Sequence, residues 1–481
     1  MAKLLGVSCA RYWALFSLLC LSGSVAVTSA ATANPAASIA QIASAGGWNT
    51  SLTLVDLTVT PAEAVVSFFD ESGNPLNLPF TFPQGGMAPM TEATIHGNIN
   101  GHGLLLIDTN GPSSQAATVG WSLLQSTIKV GGYALFTNTK TNWQAAVPLE
   151  SLNASSYLLA FDNTGLLSTG VAIANLAPQV ANINVIIRDD GGNTIGTETV
   201  NVPAQGHTSF TLTSNYPVTT NIRGTVEFDT PAGGQINVLG LRANGPALTT
   251  LPVLANVGVT GGSMPHVTYN QGWQTTFTLV NTGTSATQAT LNFYDDSGSS
   301  LPISVTFPQT GAVSTSSTVT QTIAAGASLI VQTDHFDQYK AVTGWAQLVT
   351  TGNISGFAIF RYDPSQQEAV VPLETRNANM YTLAYDNTGG VGTGMALAND
   401  SGQSLTLGLV IRDDSGAEIH GGQLILPPHG HSAVVLSQAY PSTAGIRGSV
   451  QIQSLSGGQF SALGIRVTSD QNITTIPVLE N

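Results

Sequence analysis

The chain has 481 residues, of which 42% are hydrophobic and only 8% charged, with 27 acidic against 13 basic side chains. Its length exceeds one ordinary domain, its apolar content excludes a disordered chain, and its net charge of −14 disfavours nucleic acid or an anionic membrane as partner. With 51 glycines and few charges to line helical faces, it favours short strands and turns.

Residues 1–30 read as a signal peptide. Lys3 and Arg11 flank the start of an apolar run, Trp13 to Val27, and small residues follow up to Ala30. The run is short for a membrane span, and no later run approaches the ~18–20 residues that one needs. Both cysteines, Cys9 and Cys20, lie in this leader. The exported chain is therefore expected to lack disulfides, a thiol nucleophile and thiolate metal sites. Loss of the leader leaves 11 basic and 27 acidic residues, net −16.

Beyond the leader, apolar and polar residues alternate with period two, and turn signals fall every 8–12 residues. "GWNTSLTLVD" (47–56) is followed by "FFDESG" (68–73), which ends a strand on the pair Asp70-Glu71. Trp121, "AAVPLES" (145–151) and "LAFDNTG" (159–165) come next, then Asp189-Asp190 and the turn "PAQGH" leading into His207. "NVGVTGGS" (256–263) reads as a linker. The same series then returns: "GWQTTFTLVN" (272–281), "FYDDSG" (293–298), Trp345, "AVVPLET" (369–375), "LAYDNTG" (383–389), Asp413-Asp414 and "PPHGH" leading into His431. Strands are expected at Ala289–Tyr294, Gly356–Phe360, Leu407–Arg412 and Ala433–Leu436. No stretch carries the stripe and caps of an amphipathic helix.

The return has a period of about 225 residues, and each half divides again, since "FYDDSG" resembles "IRDDSG" (411–416). The reading is four blocks in the order A-B-A-B: A1 at 31–150, B1 at 151–256, A2 at 264–374 and B2 at 375–481. About seven short strands in each imply an all-β protein of four immunoglobulin-like antiparallel sandwiches, with a barrel or jelly roll as the alternative. The shared pattern "GWxTxFxLVN…FYDxxG…GxAxFR…VPL…FDNTxG…RDxxG…LPxxGH" resembles that of uncharacterised secreted tandem β-sandwich proteins of soil bacteria. The resemblance implies export and an immunoglobulin-like repeat fold; it implies no activity and no site residues.

The four acidic pairs, each with a glycine two or three residues after the first acid, have the composition of a hairpin corner. Asp295, Asp296, Asp413 and Asp414 are also the candidates for calcium, although six to eight oxygen ligands are needed and one pair supplies too few. Four equivalent catalytic pairs in one chain are not expected. Trp48, Trp273, Trp121 and Trp345 recur in the A blocks and read as packing residues. Trp143 has Gln367 as its counterpart, which makes it the candidate for an exposed, ligand-binding contact. His207 and His431 read as strand-entry residues, with His102 placed similarly. Arg188, Arg223 and Arg242, repeated as Arg412, Arg447 and Arg466, pair with acidic turns or a neighbouring block, or else form a carboxylate-binding patch.

No nucleophile elbow, phosphate loop or zinc motif is present in the sequence. The expectation is a non-catalytic, cofactor-free surface, matrix or adhesion protein, secreted or at the cell surface. Its partner would be a glycan or another surface protein, not nucleic acid. The alternatives are a carbohydrate-binding protein and a secreted hydrolase with a site between blocks.

Overall fold

A computed structural model describes residues 34–481 apart from Leu152, Asn153, Ser155, Pro231, 256–260, Asp337 and Asn377. The expected signal segment and most of the expected linker lie outside the described residues. The described chain is all-β, with eight open antiparallel sheets drawn pairwise from four contiguous stretches.

In A1 the first sheet has the order Asn34–Ser44, Thr118–Ser126, Ala62–Phe69, Thr94–Ile99. The second runs Trp143–Pro148, Val130–Asn138, Trp48–Asp56, Leu104–Thr109, Leu78–Thr81, Met90–Glu92. A2 repeats both orders. In B1 a five-stranded sheet (Thr194–Val202, Ala181–Asp189, Arg223–Asp229, Ser156–Asp162, Leu254–Ala255) accompanies a four-stranded one (His207–Thr211, Leu167–Asn175, Ile236–Asn244, Ala247–Leu251), and B2 repeats this. The period-two pattern explains the layering. In Ala62–Phe69 and Leu405–Asp413 every second side chain is buried, as one-sided strands require.

Two local expectations change. Gly261, Gly262 and Ser263, assigned to the linker, begin the strand Gly261–Tyr269, and Ser263 exchanges backbone hydrogen bonds with Glu374. Leu436, placed at the end of a strand, opens the one-turn helix Leu436–Ala439, which Pro441 prevents from continuing. B1 has the same turn at Leu212–Asn215.

The blocks do not stand apart, because each apolar core reaches into the next block. The A1 core includes Ala172, Ala174 and Leu239 of B1. That of B1 includes Val280, Phe357, Ile359 and Val370 of A2, and that of A2 includes Ala396, Leu463 and Ile473 of B2. The B2 core closes the circuit through Val55, Leu57, Leu104, Leu106, Tyr133, Leu135 and Ala146 of A1. At roughly 1.5–3 kcal/mol per fully buried large apolar side chain, this last junction gains on the order of 10 kcal/mol before ordering costs.

Four strands, one per block, pack side by side at the centre: Trp143–Pro148, Ala247–Leu251, Gln367–Pro372 and Ile473–Ile476. Thr250 Oγ1 donates to the Ala146 carbonyl at 2.7 Å, and Thr475 makes the matching bond to Val370. The strands end at or just before Pro148, Pro252, Pro372 and Pro477, which line an axial cavity of about 310 Å³. This is the structural meaning of the recurring "VPL" signature, since proline ends a ladder that it cannot extend.

Candidate functional site at the block junctions

The hairpin corners define the junctions. Asp295 Oδ1 accepts from the backbone of Ser297 (2.9 Å) and Ser299 (3.0 Å) and from Ser297 Oγ (2.7 Å). Asp413 Oδ1 does the same for Ser415 N (3.0 Å), Ser415 Oγ (2.6 Å) and Ala417 N (3.0 Å). The first acid of each pair is thus engaged in its own turn.

The second acid faces another block. Its backbone carbonyl accepts the N–H that opens a strand there: His207 N to Glu71 O (3.1 Å), Ser328 N to Asp190 O (3.0 Å), His431 N to Asp296 O (3.2 Å) and Leu104 N to Asp414 O (2.9 Å). Each corner therefore seats on the block that follows, and the last corner seats on the first block. In this register the counterparts of His207 and His431 are Leu104 and Ser328. His102 matches Gln205 and His429 instead, all three with positive φ. Side chains supplement the seats: Asp296 Oδ1 lies 2.8 Å from His431 Nδ1, and Gln84 Nε2 donates to Asp414 Oδ2 at 3.4 Å. Among the described residues no group of three or more His, Cys, Asp or Glu is arranged to hold a metal ion.

The tryptophans belong to the same seams. Trp121 and Trp345 are fully buried, and their Nε1 atoms donate to the carbonyls of Gln205 and His429, each at 2.7 Å. Phe69 and Tyr294, just before the corners, stack on them at 4.8 and 5.0 Å. Trp143 is half-buried, lies 6.2 Å from Trp48 between ring centroids, and donates to the Gly245 carbonyl at 3.2 Å. Its counterpart Gln367 donates to the Pro246 carbonyl at 3.2 Å, so both anchor the same B1 hairpin.

At the A2–B2 seam three titratable groups line up. His266 Nδ1 lies 3.3 Å from His431 Nε2, and His431 in turn meets Asp296. A register slip between Met264 and Val267 places Pro265 and His266 in a bulge, which turns the His266 ring toward B2. Burial, and then the neighbouring His431, push His266 down to about 3. The hydrogen bond from His431 holds Asp296 below the usual carboxylate range against the opposing effect of burial. The line ends at one side against the Phe360 ring, 5.7 Å from His266, and at the other Thr343 Oγ1 donates to Asp296 Oδ1 at 3.4 Å across the exposed rim. Its chemistry is that of an interface lock. Position 266 corresponds to Gln41 in A1, by the matching registers of the two edge strands.

The arginines divide by role. Arg223 and Arg447 pair with Asp162 (2.8 Å) and Asp386 (3.2 Å) of the "DNTG" segments, and Arg188 pairs with Glu227 at 2.7 Å. Arg242 crosses to A2, where the buried Glu368 receives Arg242 Nε at 3.1 Å, Arg361 at 3.3 Å and Asn244. Its counterpart Arg466 meets no carboxylate within salt-bridge distance among the described residues; its Nη1 donates to Gln144 Oε1 at 2.7 Å.

That difference has a volumetric counterpart. Beside Arg242 the B1–A2 seam holds a cavity of only about 30 Å³, lined in part by Asp162, Arg242, Thr276, Thr278 and Phe357, apart from a separate one of about 290 Å³ beside Arg188 and Glu227. The matching A1–B2 cavity has about 300 Å³ and is lined in part by Asp386, Arg466, Ser51, Thr53 and Tyr133, together with Asp108 and Arg447. Burial raises Asp108 above the usual carboxylate range, a Ser51 hydrogen bond opposing it. Sequence reasoning recognised Arg447 and Arg466 but not Asp108 or Tyr133, because seams between blocks 300 residues apart leave no local spacing. The readable signal was the exchange of Glu368 for Gln144.

No family model matches the chain, and comparison with curated proteins gives no match. Among solved structures, a glycoside hydrolase family 32 protein from Bifidobacterium adolescentis aligns at 8% identity over 91% of this chain and 99% of its own, with a TM-score of 0.13. The E. coli alpha-2-macroglobulin aligns at 8% identity over 92% and 40%, with a TM-score of 0.12.

Proposed function

We propose that the chain is an exported, non-catalytic protein of four immunoglobulin-like sandwiches in A-B-A-B order, acting as a rigid contact body at the cell surface or in the extracellular matrix. The observation that carries this reading is the circuit of four seated corners. Residues that read as candidate chemistry in the sequence are spent on holding blocks together. An extended spacer fits this circuit poorly, because A1 and B2 share a core. A rigid body with faces on four sides fits it well, with a glycan or another surface protein as partner.

Two measurements test the reading. Small-angle scattering of the leader-free chain is expected to give a radius of gyration of ~22 Å, the value for one compact body of this length. A clearly larger radius, from an extended string, would remove the rigid-body reading. The same protein is expected to bind intact cells or a glycan array while releasing no product from glycoside, ester or peptide substrates. Sustained turnover of any of them would establish the hydrolase alternative instead.

A further inference from the structure

We propose that the cavity between A1 and B2 is a binding site for a small hydroxycarboxylate of sugar-acid size. The inference goes beyond the contact role above and does not depend on it.

The repeat supplies its own control. At the B1–A2 seam the protein provides the carboxylate: Glu368, with a side chain 1% exposed, neutralises Arg242 and Arg361 and takes a hydrogen bond from Asn244. There the cavity is nearly filled. At the A1–B2 seam that carboxylate and two of its three partners differ. Gln144 stands for Glu368, Thr137 for Arg361 and Thr468 for Asn244, while Arg466 is retained in place of Arg242. A guanidinium is thus kept at a half-buried seam with the carboxylate removed and a cavity of about 300 Å³ opened beside it. This is the lower end of the size range of small-molecule sites. Asp386 and Asp108 share this wall, yet no carboxylate lies within salt-bridge distance of Arg466 among the described residues, and a carboxylate from outside would supply that direct pair.

The rest of the wall sets the ligand's other groups. Arg447 also lines the cavity, and only its Nε is engaged by Asp386. Arg447 and Arg466 are the wall's cationic donors for a carboxylate. Asp108, Ser51, Thr53 and Thr388 offer acceptors and donors for hydroxyl groups, and the Tyr133 ring with Leu104, Leu106 and Leu135 gives an apolar face. A ring or chain bearing hydroxyls and one carboxylate uses all three.

Isothermal titration of the leader-free chain with glucuronate, glucose, acetate and sulfate tests the assignment. Glucuronate is expected to bind, acetate to bind more weakly, and glucose and sulfate not to bind. Gln144→Glu restores the internal carboxylate that the other seam already tolerates. It is expected to weaken glucuronate binding at least about tenfold while leaving thermal stability equal or higher. Arg466→Gln should also abolish binding, with circular dichroism reporting whether it folds. Binding of glucuronate that is unchanged in Gln144→Glu, glucose or sulfate binding as tightly as glucuronate, or no binding of glucuronate up to about 10 mM, would each overturn the proposal.

Discussion

Gly298→Ala is expected to destabilise the protein by about 3 kcal/mol or more, measured by urea unfolding. Gly298 has φ +83, where an alanine costs ~1–2 kcal/mol. Its seat adds more, since a Cβ there would lie 1.8 Å from the Pro428 carbonyl oxygen of B2. Backbone oxygen cannot rotate away as a side chain would, so the corner must lift off. Lifting it breaks the Asp296–His431 backbone bond and loosens the Trp345 seal. Gly311→Ala is the control: φ there is +71, but nothing lies within 4 Å of the new methyl group, so the loss should stay near ~1–2 kcal/mol. Equal losses in the two variants would show that turn geometry alone, without seating, explains the glycine. The other corners make the same contact, with Gly73, Gly192 and Gly416 facing Ala204, Ala325 and Gly101 oxygens at 2.2, 2.4 and 2.3 Å.

The second large effect is acid lability. His266 is pushed down to about 3 and His207 to about 4, both chiefly by burial. Their folded values lie below the ordinary 6.5, so between those limits the unfolded chain binds more protons than the folded one. Stability is therefore intact above pH 6.5 and falls as pH drops through roughly 6.5 to 4, by at most about 1.4 kcal/mol per pH unit for each group. Asp296, held low, adds to the loss at the acid end. Asp400 acts in the opposite direction. Burial raises it to about 7, although Ser263 Oγ donates to it at 2.8 Å, so its contribution is present at low pH and is lost as pH rises toward neutrality. Denaturation followed across pH should show a steep acid limb that His266→Gln flattens, since Gln41 occupies that place in A1. Asp400→Leu, the Leu176 solution of B1, should raise stability more at pH 8 than at pH 5. An acid limb unchanged by His266→Gln would exclude the histidine pair as its source.

The legibility of this chain follows the range of its interactions. Alternation in "ATLNFY" placed a strand, and "DDSG" placed a corner, because both are decided within a few residues. The repeat offset aligned Trp121 with Trp345, and both are buried. What those residues touch was not legible: the Asp296 seat is His431, 135 positions away, and hairpin chemistry alone already accounts for every residue of "FYDDSG". Trp143 invited a reading as a free contact because Gln367 replaces it, yet both side chains have indole or amide N–H donors for one B1 hairpin. The cavity was the least visible feature, since its only sequence trace is that one copy has Gln144 where the other has Glu368, and only comparison of the two seams shows the difference.

The closed circuit of seated corners also changes what an end means for this molecule. In an open array of repeats, the outermost units present an unsatisfied face and need specialised caps. Here the last corner reaches the first block, so none of the four is outermost and none needs a cap. Excising any one block would bare two faces at once, one that had received a corner and one that had supplied it. Chains cut to fewer blocks should therefore be sticky rather than merely smaller, and the protein should behave as all four blocks or as none.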